Sequence, residues 1–405
     1  MVDGLITELL AGLPAVLVVG PRACGKTTTA KRHARTVVRL DREEEAAVVR
    51  ADPDGALSVP RPVLLDEWQM APQVLGAVKR AVDERPGPNC FLITGSVRTD
   101  LAAQGWPATG RVVRVEMHGL TQREITGGGD AVAVLDRIAD EGVAAFRAPA
   151  ERYSLNDYLA LALRGGFPEA VLAPSERLRR RWLRSYVSEV VTRDAELVDG
   201  GRDPHRLRRY LQALCVNTAG VVDAKSLYDA AGIDRKTALA YDRLLTNLYV
   251  VDAVPPWWSN RLKRLVKAPK RYIVDPAVAG SVLRLDPVGL RRDADLLGRM
   301  LDTYVMSQLR AEVSACESEP TLHHLRVADG RHEIDLLIEY GDGTVFGLEI
   351  KAGGAPDTND ARHLAWLRDE LGDRFLGGAV LHTGPYVFPL SERIIAAPIS
   401  ALWTG

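Results

Sequence analysis

Four cysteines in 405 residues, Cys24, Cys90, Cys215 and Cys316, stand far apart and form no C-x-x-C pair. That spacing excludes a disulfide framework and argues against a structural zinc site. Long apolar runs are missing too: no stretch approaches the roughly 18 apolar residues of a membrane-spanning helix. The opening residues, Met1 to Glu8, carry neither the basic start nor the apolar centre of a leader. A soluble protein of a reducing cytoplasm, with no membrane partner, is expected. Nor does one charge sign dominate. With 52 Lys and Arg against 53 Asp and Glu, contact with nucleic acid has to come from a local basic patch. Lysine itself is scarce, and Lys26 and Lys351 stand among only nine. Where arginine is the default cation, a lysine marks a position that needs a compact ammonium in place of a planar fork.

What is present is a phosphate-binding pattern. The apolar run Ala15–Val19 leads into Gly20, Pro21, Arg22, Ala23, Cys24, Gly25, Lys26 and Thr27, and a helix-compatible stretch starts at Thr28. This is a strand, a G-x-x-x-x-G-K-T loop and a helix in the order that a nucleotide polyphosphate requires. The glycines let the backbone curl so that amide N–H groups point inward. Lys26 is expected to reach the β and γ phosphates of ATP, and Thr27 to place its hydroxyl on Mg²⁺. A second apolar strand, Val63–Leu65, ends in Asp66 and Glu67, ahead of a helix expected from Trp68 to Glu84. Asp66 is expected in the Mg²⁺ shell, and Glu67 as the base that polarises a water for attack on the γ phosphate. A third, Phe91–Thr94, ends near Thr94 and Ser96, hydroxyls able to sense that phosphate; Ser96 reads equally well as a helix cap.

Apolar strands alternating with helical stretches up to about residue 125 predict a largely parallel sheet covered by helices. The expected organisation is a P-loop ATPase core over 1–128, a helical extension over 129–200, a winged-helix domain over 201–280 and an α/β domain over 281–405. A helix is predicted over Leu178–Val191, its arginines Arg177, Arg179, Arg180, Arg181 and Arg184 forming either a solvated face or a binding patch. In the third stretch, helices Ala224–Ala231 and Asp234–Leu248 flank a turn at Gly232, and strands Val250–Val254 and Arg271–Val274 follow as a wing. No acid occurs from Trp257 to Val274. Arg261, Lys263, Arg264, Lys267 and Lys270 are therefore candidate contacts to double-stranded DNA. The alternative is a rigid spacer or a protein contact.

In the last stretch, Glu333–Glu339 carries Asp335 and Val345–Lys351 ends in Glu349-x-Lys351. Side chains two apart on a strand share a face, so Glu349 and Lys351 project together. Carboxylates on adjacent strands can hold a second divalent metal, and the lysine can stabilise charge on a phosphodiester. This is the pattern of the PD-(D/E)XK nuclease fold; the alternative is a partly buried ion pair.

Across nearly its full length the chain resembles the AAA+-type ATP-binding proteins of bacteria and archaea that carry a C-terminal region of unknown function. The stretches that carry the resemblance are GPRACGKTT, VLLDEWQ, FLITGS, Thr109-Gly-Arg111, GGFPEAV, TRD, KAPKRYIVDPAV, EIDLLIE and GLEIKAG. The resemblance implies that Arg111 sits near a γ phosphate, in its own or a neighbouring subunit of a homo-oligomer, as an arginine finger does. It also places a carboxylate in the helix Leu297–Ala311, where Asp302 stands in place of the expected glutamate. Two functions follow. One is an ATPase coupled to a nuclease acting on DNA. The other is an ATP-dependent regulatory or defence switch of the toxin–antitoxin type, whose degenerate nuclease fold binds a protein partner.

Overall fold

All five residues of β1 (Ala15–Val19) are buried. Alternate side chains serve two different cores: Ala15, Leu17 and Val19 pack with Trp68, Val74 and Val78, while Val16 and Val18 pack with Ile6, Leu10 and Ala30. A strand covered on both faces reads as an unbroken apolar run for this reason. The computed structural model describes residues 1–98, 110–129, 131–194, 203–257, 268–327 and 331–404. It divides into two units, residues 1–119 with 246–249, and residues 120–245 with 250–405. The helical and C-terminal stretches read from the sequence fall in the second unit, as does the helix-turn-helix stretch apart from residues 246–249.

In the first unit, β1 is joined by β2 (Thr36–Arg39), β3 (Val63–Asp66), β4 (Phe91–Gly95) and β5 (Val112–Glu116) in the order β2-β3-β4-β1-β5. Every pairing is parallel. The C-terminal ends of β1, β3 and β4 therefore lie along one edge, where open α/β sheets bind ligands. One expectation changes. The helix predicted from Trp68 to Glu84 is a short 3₁₀ turn, Trp68–Met70, followed by an α-helix over Val74–Glu84. Pro72 drives Ala71 out of the helical region, to φ −145° and ψ 71°, as a proline does to the residue before it.

In the second unit, helices Ala224–Ala231 and Arg235–Asn247 flank Gly232, which closes the first with a left-handed φ of 63°, and Asp234 Oδ1 caps the second by accepting from Thr237 N at 3.0 Å. Strands β6 (Val251–Val254) and β7 (Lys270–Ile273) pair antiparallel. A six-stranded sheet follows, built from β8 (Thr321–Arg326), β9 (Glu333–Glu339), β10 (Val345–Ile350), β11 (Phe375–His382), β12 (Phe388–Ser391) and β13 (Ile394–Pro398). Its order is β12-β13-β11-β10-β9-β8; β8 to β10 form an antiparallel meander, and β10, β11 and β13 run parallel. The helix Ala294–Val313 precedes the meander, and Arg362–Leu371 crosses from β10 to β11. Leu364 of the crossover helix sits so close to β10 that a Cβ on Gly347 would lie 2.5 Å from its Cδ2.

Candidate functional site

The loop that leaves β1 is shaped by close packing. A Cβ on Gly20 would fall 1.9 Å from Met117 O, which no other residue type can accommodate without moving the backbone. Gly25 takes φ 101° and Ala23 φ 58° to turn the chain into the helix Lys26–Arg32. Within the loop, Lys26 is only 4% exposed and its Nζ donates to Gly20 O at 3.1 Å and Pro21 O at 2.7 Å. Cys24 is buried behind it, with Sγ 3.5 Å from Met117 O. Arg22 is half-buried, and Ala23 and Thr28 are exposed.

Three strand ends meet at Asp66. Its Oδ1 accepts from Thr27 Oγ1 and from Thr94 Oγ1, both at 2.6 Å. The next residue, Glu67, adopts a left-handed backbone at φ 59°, a conformation that costs a non-glycine residue about 1–2 kcal/mol and that clusters at functional sites. Its amide donates to Thr94 Oγ1 at 3.2 Å, and its carboxylate accepts from Ser96 Oγ at 2.9 Å and from Gln69 Nε2. The sequence reading named Thr27, Asp66, Glu67, Thr94 and Ser96, and the fold brings them together. It missed Gln69, which the assumed helix from Trp68 had hidden.

Arg111 is a correction. β5 enters the sheet with Val112 beside Ala15 and leaves with Glu116 beside Val19, so Arg111 lies at the opposite end of β1 from the loop. Five residues at about 3.3 Å each separate the two ends by roughly 16 Å. Arg111 Nε donates to Asp83 Oδ1 at 2.5 Å. A γ-phosphate contact within its own subunit is therefore overturned.

A second acidic site lies in the other unit, in a cleft of about 560 Å³ lined by Asp302, Asp335, Glu349, Lys351, Arg299 and His363 among others. Leu336 pairs with Leu348 across β9 and β10, which sets Asp335 and Glu349 side by side one step further along the ladder. Asp302 arrives from the helix Ala294–Val313. The four residues read from sequence, Asp302, Asp335, Glu349 and Lys351, thus converge, and a fifth comes with them. Lys270, 2% exposed, donates from Nζ to Asp302 Oδ2 at 2.6 Å, to Asp335 Oδ1 at 3.2 Å and to Asp335 O at 3.1 Å. Its place among the candidate DNA contacts is overturned, because its ammonium is buried against carboxylates. Arg261, Lys263, Arg264 and Lys267 lie outside the described residues.

Burial sets the electrostatics of this cleft. It pushes the Asp302 carboxyl up to about 7, with Lys270 pulling the other way. Burial and the neighbouring Asp335 hold Glu349 well above the usual carboxylate range, and Glu349 Oε1 has no hydrogen-bond partner among the described residues. Asp335 stays below its ordinary value because, against burial, Lys270, the Ile350 amide and Lys351 together favour the ionised form. Elsewhere in this unit, Arg177, Arg180 and Arg184 line a separate cleft with Arg284.

Residues 13–126 match the family described as an AAA domain, residues 155–289 a domain of unknown function (DUF8612), and residues 297–402 another domain of unknown function (DUF4143). Uncharacterized proteins of Mycobacterium bovis and Mycobacterium tuberculosis are each 29% identical over 399 residues, covering 96% of this chain and 81% of theirs. A Walker-type ATPase of Pyrococcus abyssi has 16% identity and a TM-score of 0.42, over 70% of this chain and 94% of its own. A likeness at that level fixes no side-chain role. No described helix is long and apolar enough to cross a membrane. The stretch that matches the AAA domain holds β1 and the glycine loop that leaves it, so the first unit carries an AAA-type domain with a P-loop.

Proposed function

We propose that the first unit binds ATP with Mg²⁺ and hydrolyses it, with Glu67 as the base. The observation that carries this reading is the junction at Asp66, where Thr27, Thr94 and the Glu67 amide converge at the ends of β1, β3 and β4. The residues from Gly20 to Thr28 would wrap the phosphates, with Lys26 exchanging the carbonyls of Gly20 and Pro21 for phosphate oxygens. Thr27 and Asp66 offer hard oxygens suited to Mg²⁺, which when bound neutralises charge on the β and γ phosphates. Ser96 and Gln69 hold the Glu67 carboxylate in place, so that it can take a proton from an attacking water. The test is ATP binding and turnover in two variants. Lys26→Ala should lose binding, while Glu67→Gln should bind ATP normally and turn it over at least about 100-fold more slowly. Wild-type turnover by Glu67→Gln would refute the assigned base.

For the second unit, the helix, meander and crossover helix support a nuclease-like fold, and the helix pair with β6 and β7 supports a winged helix. Of the two functions expected from sequence, nuclease and regulatory or defence switch, the second is favoured by the Lys270 ammonium between Asp302 and Asp335. The partner would then be a protein or a second copy of this chain, engaged according to nucleotide state. Four free, buried cysteines suit a reducing cytoplasm. Incubating plasmid and linear DNA with Mn²⁺ or Mg²⁺, with and without ATP, tests the choice. No cleavage is expected from wild type; cleavage that Lys351→Ala abolishes would restore the nuclease.

A further inference from the structure

The two aspartates that stand where a nuclease-type cation would sit already have a donor on each carboxylate oxygen. Asp302 Oδ2 accepts from Lys270 Nζ and Oδ1 from Tyr272 OH at 3.0 Å. Asp335 Oδ1 accepts from the same Nζ and Oδ2 from Ile350 N at 3.0 Å. Lys270 Nζ has in turn three acceptors for its three protons, the last being Asp335 O. A divalent ion held by both aspartates at about 2.0–2.6 Å would have to displace the ammonium or stand directly against its charge. Glu349 alone cannot make up the loss, since one oxygen lies 3.4 Å from Lys351 Nζ and only the other lacks a partner. The residues do not fit a metal.

We infer that the Lys270 ammonium is the resident cation of this cleft, and that Asp302, Asp335 and Glu349 take no divalent metal while it is there. The cation and the acids come from different segments. Lys270 lies on β7, 32 residues before Asp302 and 65 before Asp335, outside the helix and meander that supply the acids. Deleting the amine therefore leaves those carboxylates in position with their nearest positive charge removed, a gap that an external cation can fill. The inference goes beyond the regulatory reading, which a metal-loaded cleft would also permit.

The test is Mn²⁺ binding to the full chain without nucleotide, followed by electron paramagnetic resonance, in an Asp66→Asn background that removes the metal position proposed for the first unit. That protein and its Glu349→Gln derivative should bind Mn²⁺ identically. Adding Lys270→Ala should create one site, tighter by roughly tenfold or more than any before, and Asp302→Asn should weaken it again by a similar factor. A Mn²⁺ site present with Lys270 intact and removed by Glu349→Gln would overturn the inference. So would a Lys270→Ala protein with unchanged circular dichroism that gains no site. If Lys270→Ala does not fold, the Glu349→Gln comparison decides alone. Plasmid added to the Lys270-containing samples separates the two readings: metal binding without cleavage overturns only this inference, while cleavage overturns the regulatory reading as well.

Discussion

Asp66 in the first unit and Asp302 with Asp335 in the second are carboxylates held inside the fold, the first two buried and Asp335 half-buried, and they differ in what satisfies them. Asp66 accepts from two neutral hydroxyls, Thr27 and Thr94. A hydroxyl can rotate its proton away and offer a lone pair to the same cation, so that junction can open to a metal at little cost. Asp302 and Asp335 share an ammonium, which has no lone pair and brings the positive charge with it. The type of donor, more than the number of acids, separates a site that can recruit a metal from one that supplies its own cation.

The largest effect that would test this contrast is on turnover. Asp66→Asn should lower ATP hydrolysis by roughly 100-fold or more through loss of a carboxylate from the proposed Mg²⁺ shell, measured by phosphate release at saturating Mg²⁺; activity within a few fold of wild type would show that Asp66 is only a structural acceptor. Next comes stability. Lys270→Met should destabilise the second unit by about 3–5 kcal/mol, because it strands the buried Asp302 beside the half-buried Asp335, and this would be read from urea unfolding near pH 7. A loss under about 1 kcal/mol would place the pair in the surface class and break the comparison.

The pH dependence gives a smaller signal. Asp302 is raised to about 7 in the folded state, above its unfolded value, so between about pH 4 and 7 the folded chain binds more protons than the unfolded one. Stability should therefore fall as pH rises through that window, with a slope of up to about 1.4 kcal/mol per pH unit from this group. Glu312, raised to about 7 mainly by burial and paired with Arg123 at 3.0 Å, adds to the same trend. Asp302→Asn should reduce the slope without abolishing it; an unchanged slope would remove Asp302 as a source. The smallest effect is expected at Arg111. Arg111→Ala should leave the turnover of isolated subunits within about twofold and cost no more than about 1 kcal/mol for an exposed ion pair, checked at a dilution where no oligomer is detected by light scattering.

Local patterns were legible and distant pairings were not. The run Ala15–Val19, the loop glycines and the acids after Val63–Leu65 each reveal themselves within a few residues, because strand burial and tight turns act over that range. Asp335 and Glu349-x-Lys351 were readable for the same reason, as neighbours on a hairpin. Lys270 was not, since its acids lie 32 and 65 residues away and its sequence neighbourhood is uniformly basic. A signal did exist: Lys270 and Tyr272 alternate on one face of a short strand and both are buried. Arg111 failed differently. A position at a strand's start says nothing of which sheet edge it reaches until the parallel register is known.

Cys24 lies inside the phosphate loop with its thiol sealed behind Met117 O. Burial raises it above the ordinary thiol value, despite the opposing pull of Lys26, so little of the nucleophilic thiolate forms at neutral pH. Peroxide or an alkylating reagent thus meets a nucleotide loop with no reactive sulfur to offer, and the folded first unit is insulated from the oxidative inactivation that an exposed thiol at that position would invite.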